Sequence, residues 1–146
     1  MINPEQMIME GYPEYEDFQA HNGQQVRFKY VYFDSGNIFS LRALEDINKE
    51  VYREFCSYDY NSQSNNLYKI RQIIKRELNT RYFTETDHDE FREMNFDYFK
   101  GNITTDEEDE LCIVVDGKKM SMTDLEKVIR PHQGFEIEIK ITDGST

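Results

Sequence analysis

Residues 111–141 read LCIVVDGKKMSMTDLEKVIRPHQGFEIEIKI, the stretch with the most consistent secondary-structure signals in the chain. The apolar run at 111–115 predicts a buried strand, and Asp116-Gly117 predicts a tight turn after it. Apolar and polar residues alternate from 135 to 142, which predicts a second strand. With a helix between the strands, residues 111–142 are predicted to form a C-terminal strand–helix–strand module.

Two pairs in this stretch have the spacing of a capping box, in which a hydroxyl caps a helix and a carboxylate reaches back. They are Ser121 with Asp124 and Thr123 with Glu126. Either pair predicts a helix near 122–130, which Pro131 would end because proline cannot continue a helix.

The region upstream carries one alternating segment and three segments with helical periodicity. Alternation predicts a strand near 24–33, and a further short strand is expected at 81–84. Apolar residues recur every three to four positions in three segments, which predicts helices near 41–56, 66–78 and 87–100. Residues 1–21 form an acidic N-terminal segment that we expect to be loosely attached.

These elements together predict an α+β fold in one domain spanning residues 1–146. A chain of 146 residues is large enough for a single core without disulfides. We expect a small, mainly antiparallel sheet packed against three to four helices. The strands would come from 24–33, 111–115, 135–142 and 81–84, and the helices from 41–56, 66–78, 87–100 and 122–130.

The segment 115–143 resembles a small C-terminal module of uncharacterised Gram-positive bacterial and phage proteins. The resemblance lies in DGKKMSMTDLEKVI followed by GFEIEIKI: a DG turn, a helix that starts at Ser or Thr, and a Gly-aromatic step into an alternating strand. It covers about a fifth of the chain. The resemblance implies no activity.

The net charge of −12 is concentrated in two segments. Residues 1–21 carry five acids and no Lys or Arg, and residues 84–110 carry eleven acids against two bases. Nucleic acid would repel such a protein, whereas a basic surface would attract it. The sequence therefore predicts a basic protein surface as partner, and neither nucleic acid nor a membrane.

The predicted partner-binding surface lies in residues 89–110. On the expected helix 87–100, four acids share one face and aromatic rings add contacts, which are the usual anchors of an interface. The acidic loop that follows would continue the line of charge. The predicted surface consists of Asp89, Glu90, Glu93, Asp97, Phe96, Phe99, Asp106, Glu107, Glu108, Asp109 and Glu110. The leading hypothesis is a non-catalytic protein that engages the nucleic-acid-binding groove of a partner, as a nucleic-acid mimic or inhibitor.

Two alternatives remain open. Asp116 with Glu138 and Lys140 has the form of the D…ExK pattern of metal-dependent nucleases, in which two acids hold Mg²⁺ and the lysine acts on the water. Glu138 and Lys140 would share a strand face, as that chemistry requires. The other alternative is a bacterial or mobile-element domain whose acidic surface is only solvated.

Other chemistries find little support in the sequence. Asp87-His88-Asp89-Glu90 contains ligand-type residues, but consecutive helical residues point in different directions and cannot all reach one ion. His21, His88 and His132 belong to no catalytic motif, and we expect no cofactor and no metal. Cys56 and Cys112 lack metal spacing, which together with the absence of a signal peptide predicts a cytoplasmic protein.

Overall fold

The computed structural model describes residues 7–8, 10–21, 23–46, 52–84 and 90–143. The chain divides into two compact units, Met1–Asn79 with Ile141–Thr146, and Thr80–Lys140. Each unit has its own antiparallel sheet and its own hydrophobic core.

The first unit contains a four-stranded sheet with strand order β1-β2-β3-β4. The strands are β1 (Tyr15–Gln19), β2 (Gln25–Asp34), β3 (Phe39–Glu45) and β4 (Glu54–Asp59). Each strand pairs antiparallel with the next in the chain. In β2, every second side chain from Val26 onward is buried, so one face of the sheet forms the core.

The helix α1 (Gln63–Leu78) covers that face. Ser62 caps it by accepting a hydrogen bond from the Asn65 N–H at 2.9 Å. The apolar residues Leu67, Ile70, Ile74 and Leu78 recur at helical spacing and are buried together with Phe28, Tyr30, Tyr32, Leu41 and Ala43 from the sheet. The amphipathic pattern of α1 thus supplies four of the twelve buried residues of this core.

A buried polar network also joins α1 to the sheet. Asn66 is fully buried; its amide donates to the Phe39 carbonyl at 3.1 Å and to the Gln63 side chain at 2.8 Å. The Ser57 hydroxyl on β4 bonds to the Asn66 side chain as well. Because a buried amide without partners is costly, these bonds specify how α1 sits on the sheet.

The second unit contains a three-stranded sheet with strand order β5-β6-β7. Its strands are β5 (Asn102–Thr105), β6 (Leu111–Val115) and β7 (Lys118–Ser121), followed by helix α2 (Met122–Ile129) and a 3₁₀ turn at Arg130–His132. The Ser121–Asp124 capping box is present, with both hydrogen bonds formed. The core of this unit consists of Tyr82, Phe83, Phe91, Val115, Met120 and Val128.

The predicted fold of three to four helices on one sheet is wrong, because the structure has two sheets and two helices whose ends lie among the described residues. Strands and helices do occur at four predicted places: β2, β6, α1 and α2. The predicted α+β content is therefore confirmed, whereas the predicted arrangement of three to four helices on one sheet is wrong.

The predicted helix at 41–56 is wrong. Residues 41–45 and 54–56 belong to β3 and β4 instead, while 47–51 lie outside the described residues. Leu41, Ala43 and Glu45 are buried and Arg42 is exposed, which is the alternation of a strand. The segment contains both a helical stripe and this alternation, and pairing with β2 selects the strand.

The predicted helix at 87–100 is also wrong for residues 90–100, and 85–89 are not described. The backbone of this segment bonds to another segment rather than to itself. The Thr84 N–H donates to the Glu93 carbonyl, and the Asn95 N–H donates to the Tyr82 carbonyl, each at 2.8 Å. These bonds form a single bridge, Phe83 with Met94, where the short strand 81–84 is predicted.

The third correction concerns the predicted strand at 135–142. Residues 135–143 form no strand in the structure and are exposed throughout. A strand needs a neighbouring strand to bond with its backbone, and no described strand pairs with this segment.

Candidate functional site

The residues predicted to bind a partner fall in two parts of the second unit. Glu90, Glu93, Phe96 and Asp97 lie in the irregular segment 90–100, and 106–110 form the loop between β5 and β6. Asp89 lies outside the described residues. Without a helix, the acids of segment 90–100 do not form the straight line that helical periodicity predicts.

Asp116 holds the start of this unit in place. One carboxylate oxygen accepts the Tyr82 N–H at 3.0 Å, and the other accepts the Phe83 N–H at 2.9 Å. Arg81 donates to the Asp116 carbonyl at 3.4 Å, and its own carbonyl accepts from the Asn95 amide at 2.9 Å. Segments 81–84 and 93–95 are thereby attached to the β6–β7 turn.

These attachments orient the aromatic residues in two directions. Phe83 packs edge-to-face against Phe91 and at a tilt against Phe99, with centroids 5.1 and 5.3 Å apart, inside the core. Phe96 and Tyr98 instead remain 45% and 52% exposed. Phe99, which was predicted to bind a partner, is therefore half-buried against the core and offers little ring surface.

Phe96 and Tyr98 form a surface cluster with Tyr82. The ring centroids are 5.6 Å apart for Phe96–Tyr98, 6.2 Å for Tyr82–Phe96 and 5.9 Å for Tyr82–Tyr98. Rings at these distances support one another, so each is presented in a restricted orientation. Because Tyr82 is only 5% exposed, it serves as the fixed base of the cluster.

Carboxylates flank these rings in the sequence. Glu93 and Asp97 are exposed, and neither side chain has an ion-pair partner within the described part of the chain. Glu90 differs, because Arg92 binds it at 2.7 Å. We call Tyr82, Glu93, Phe96, Asp97 and Tyr98 the acidic-aromatic patch.

The acidic loop 106–110 is an ordered turn. Asp106 is half-buried, and its carboxylate accepts the N–H groups of Glu108 at 2.9 Å and Glu110 at 3.0 Å. Asp109 has a φ of 61°, a conformation that Asp adopts more readily than most residues. The turn leaves the side chains of residues 107–110 exposed. Asp106 thus shapes the loop, and the remaining four acids carry its surface charge.

The first unit contrasts with this pattern because its charges pair internally. Arg71 on α1 binds Glu16 with two hydrogen bonds of 2.8 Å. Burial raises the pKa of Glu16, but hydrogen bonds from Arg71 and Tyr30 outweigh it, and the net pKa lies below its usual value. Arg53 binds Glu45 at 3.0 Å in the same unit. The basic side chains of this unit therefore neutralise acids of its own surface.

Asp59 is the strongest case of this pairing. It is 6% exposed. The Lys69 ammonium, 2.9 Å away, and the N–H groups of Ser62 and Asn61 hold its pKa at about 2. These bonds link the end of β4 to the start of α1, so Asp59 stabilises the junction between two elements.

The three residues of the D…ExK alternative occupy different environments. Both carboxylate oxygens of Asp116 accept backbone hydrogen bonds, so this residue has a structural role. Glu138 and Lys140 lie in the exposed segment 135–143, which has no strand to align them on one face. Among the described residues, no three His, Cys, Asp or Glu side chains are grouped as metal ligands.

The two cysteines are free thiols. Cys112 is buried and Cys56 is half-buried, and burial raises the pKa of both thiols. A raised pKa keeps a thiol protonated and weakly nucleophilic. No described helix is long and apolar enough to cross a bilayer.

Two residues of the second unit have roles that sequence reasoning did not assign to them. Tyr82 was expected only in a short strand, yet its ring supports the surface cluster. Asp106 was grouped with the partner-binding acids, yet it organises the loop. Its position at the first residue of a turn, where an Asp side chain accepts later N–H groups, was the available signal.

Comparison with known proteins gives one match. Residues 82–146 match the model of a domain of unknown function, DUF7713. No curated protein and no solved structure matches the chain. The matched range begins two residues after the start of the second unit at Thr80.

Proposed function

We propose that this protein is a non-catalytic binding module whose second unit engages a basic protein surface. The acidic-aromatic patch would form the centre of that contact, and the exposed acids of loop 107–110 would add to its negative field. The partner would be a nucleic-acid-binding protein, contacted at the groove that otherwise holds phosphates.

The exposed ring pair of Phe96 and Tyr98 carries the proposal. Their exposed fractions of 45% and 52% mean that about half of each ring lies in water, although a buried tyrosine supports both. Aromatic residues anchor protein interfaces more often than other types because they bury much area with few rotatable bonds. Solubility alone would not require an ordered exposed aromatic cluster.

The charge around the rings indicates the chemistry of the partner. Residues 80–140 contain 16 acidic and 8 basic residues. Arg fits this environment best, since its guanidinium can bind a carboxylate and stack on a ring at the same time. Glu93 and Asp97 would supply the carboxylates, and Phe96 and Tyr98 the ring faces.

Rows of Arg and Lys side chains occur on protein surfaces that bind the phosphates of nucleic acid. An acidic protein that occupies such a row would block the nucleic acid. Phage-encoded inhibitors of restriction and CRISPR enzymes act in this way, and the comparison is one of class only. A bacterial cytoplasm, or the cytoplasm of an infected host, would be the setting.

The test compares the wild type with a patch variant carrying Glu93→Gln, Phe96→Ala, Asp97→Asn and Tyr98→Ala. Binding to a fluorescent Arg-rich peptide is measured by anisotropy at low and high salt. We expect the patch variant to bind at least tenfold more weakly, and the salt dependence of binding to fall, because two charges and two rings are lost.

The matched control removes two charges from the first unit, by Glu10→Gln and Glu14→Gln, and should bind like the wild type. Both control residues are exposed. Proteins captured from a bacterial lysate by the wild type are then tested for displacement by duplex DNA. Equal peptide binding by patch and control variants, or capture that duplex DNA does not reduce, would contradict the proposal.

A further inference from the structure

The segment Phe135–Ile141 has the alternation of a strand but forms no strand with the described residues. Four large apolar side chains alternate along it, each between 65% and 75% exposed: Phe135, Ile137, Ile139 and Ile141. Residues with high β-propensity in an unpaired segment offer both backbone groups and an apolar face to another chain. A contiguous exposed apolar row of this kind marks a binding surface.

We propose that Phe135–Ile141 pairs antiparallel with the same segment of a second copy of this chain. The two strands would form a ribbon whose twofold axis passes through Ile139. Such a contact is isologous, so a single sequence must be complementary to itself. The charges and the apolar residues of the segment meet this condition.

The charges select the register. With the axis at Ile139, Glu138 of each copy lies opposite Lys140 of the other, and opposite charges meet twice. An axis at Glu138 would place that residue opposite itself, and an axis at Ile137 would place Glu136 opposite Glu138 twice. Of these three registers, only the axis at Ile139 creates an opposite-charge pair and no like-charge pair.

The apolar residues fit the same register. Ile139 lies opposite itself and Ile137 lies opposite Ile141, so these apolar side chains share one face of the ribbon, while Phe135 lies on the same face opposite Asp143. The polar side chains of Glu138 and Lys140 share the other face. A parallel pairing in register would instead bring each glutamate beside its own copy.

The exposed apolar side chains form one face of the ribbon. At 65% to 75% exposure, the four side chains present about 600 Å² per copy, and pairing edge to edge leaves most of this face open. A two-stranded ribbon alone is marginally stable and needs a covering element. Met122 and Ile129 on α2, 47% and 40% exposed, are further exposed apolar side chains of the second unit, to which residues 135–140 also belong.

Charge reversal tests the pairing directly. The oligomeric state of the full chain is measured by sedimentation velocity up to about 100 µM for wild type, Glu138→Lys, Lys140→Glu and the double variant. We expect the wild type to dimerise and each single variant to dimerise on the order of tenfold more weakly, since like charges then meet twice. The double variant should recover dimerisation.

A mixture of the two single variants makes the test specific to self-pairing. In a heterodimer of Glu138→Lys with Lys140→Glu, opposite charges face each other at both positions again. The mixture should therefore dimerise more strongly than either variant alone at the same total concentration. A monomeric wild type, or a mixture that behaves like the separate variants, would overturn the proposal.

Disulfide trapping checks the register independently. In a Cys56→Ser background, Ile139→Cys places two thiols directly opposite at a Cα distance of about 4.5–5.5 Å, which permits a disulfide. The matched control is Ile137→Cys, whose two copies would lie about 14 Å apart along the strands. Covalent dimers of the first variant only would support the register, and equal trapping of both variants would overturn it.

Discussion

Replacement of Asp116 by alanine should strongly destabilise the second unit. The carboxylate accepts the N–H groups of Tyr82 and Phe83 at 3.0 and 2.9 Å, and the alanine leaves both without a partner. Each unsatisfied group in a partly buried place costs about 1–2 kcal/mol. Asp116 also has a φ of 54°, where alanine costs about 1 kcal/mol more.

The expected loss for Asp116→Ala is therefore about 3–5 kcal/mol in the free energy of unfolding. Asp116→Gly isolates the hydrogen bonds, because glycine adopts a positive φ freely, and should cost about 1 kcal/mol less than alanine. Asp116→Asn keeps one acceptor and tolerates the backbone, so we expect about 1–2 kcal/mol. This order of the three variants separates the cost of the lost hydrogen bonds from the cost of the positive φ.

Two measurements check the series. Urea unfolding gives the free energies, and hydrogen exchange reports the amides of Tyr82 and Phe83, which should lose protection in the alanine and glycine variants. Asp109→Ala is the matched control, because Asp109 also has a positive φ, 61°, but is exposed. It should cost only about 1 kcal/mol.

The reasoning is refuted if Asp116→Ala lies within about 0.5 kcal/mol of the wild type, or if both amides stay protected. The structural role of Asp116 also gives a test that distinguishes it from a metal ligand of a nuclease. Stability should fall in every Asp116 variant with or without Mg²⁺, whereas a residue that only binds metal would leave the metal-free protein unchanged.

Three further substitutions test other parts of the structure. Gly101→Ala should destabilise the second unit by about 2–4 kcal/mol in urea unfolding, because its Cβ would lie 2.5 Å from the Val114 carbonyl oxygen; an unchanged midpoint would contradict this contact. Asp59→Asn should make the free energy of unfolding depend less on pH in the acid range. The folded pKa of Asp59 is about 2 and the unfolded value about 3.9, so its contribution is present above pH 4 and is lost as the pH falls through 2; a variant with the acid unfolding profile of the wild type would argue against this. Asn66→Ala should cost about 2–4 kcal/mol in thermal unfolding, since it removes a fully buried amide that joins α1 to the sheet, and Asn65→Ala on the exposed side is its control.

Local sequence signals succeeded where the physical cause is local. The Ser121–Asp124 pair predicts the start of α2 because both of its hydrogen bonds lie within one helical turn. The apolar stripe of α1 identifies that helix because every residue of the stripe points to one side. These features need no information about the rest of the chain.

The misread segments are those in which two patterns coexist. Residues 41–45 alternate and also carry part of a helical stripe, and the pairing of Ala43 with Tyr30 decides for the strand. In segment 90–100, the backbone bonds of Glu93 and Asn95 go to residues 82–84. Hydrogen bonds between distant residues outweigh a propensity difference of a few tenths of a kcal/mol per residue.

The candidate site shows the same division. The sequence alone determined the excess of acids in 84–110 and the presence of aromatic residues among them. It could not tell that Phe99 turns inward while Phe96 and Tyr98 turn outward, because that depends on the attachment of residues 81–84 to Asp116. The sequence determines which residue types are present in this segment, whereas the packing determines which of their side chains are exposed.

The sequence alone determined that apolar and polar residues alternate from 135 to 141, and this alternation indicates which side chains would share a face of a strand. Only the tertiary structure decided that no described strand pairs with it. The physical reason is that a helix forms its hydrogen bonds within its own segment, whereas a strand must form them with another. Sequence periodicity can therefore identify α1 and α2 by themselves, but it cannot name the partner of a strand.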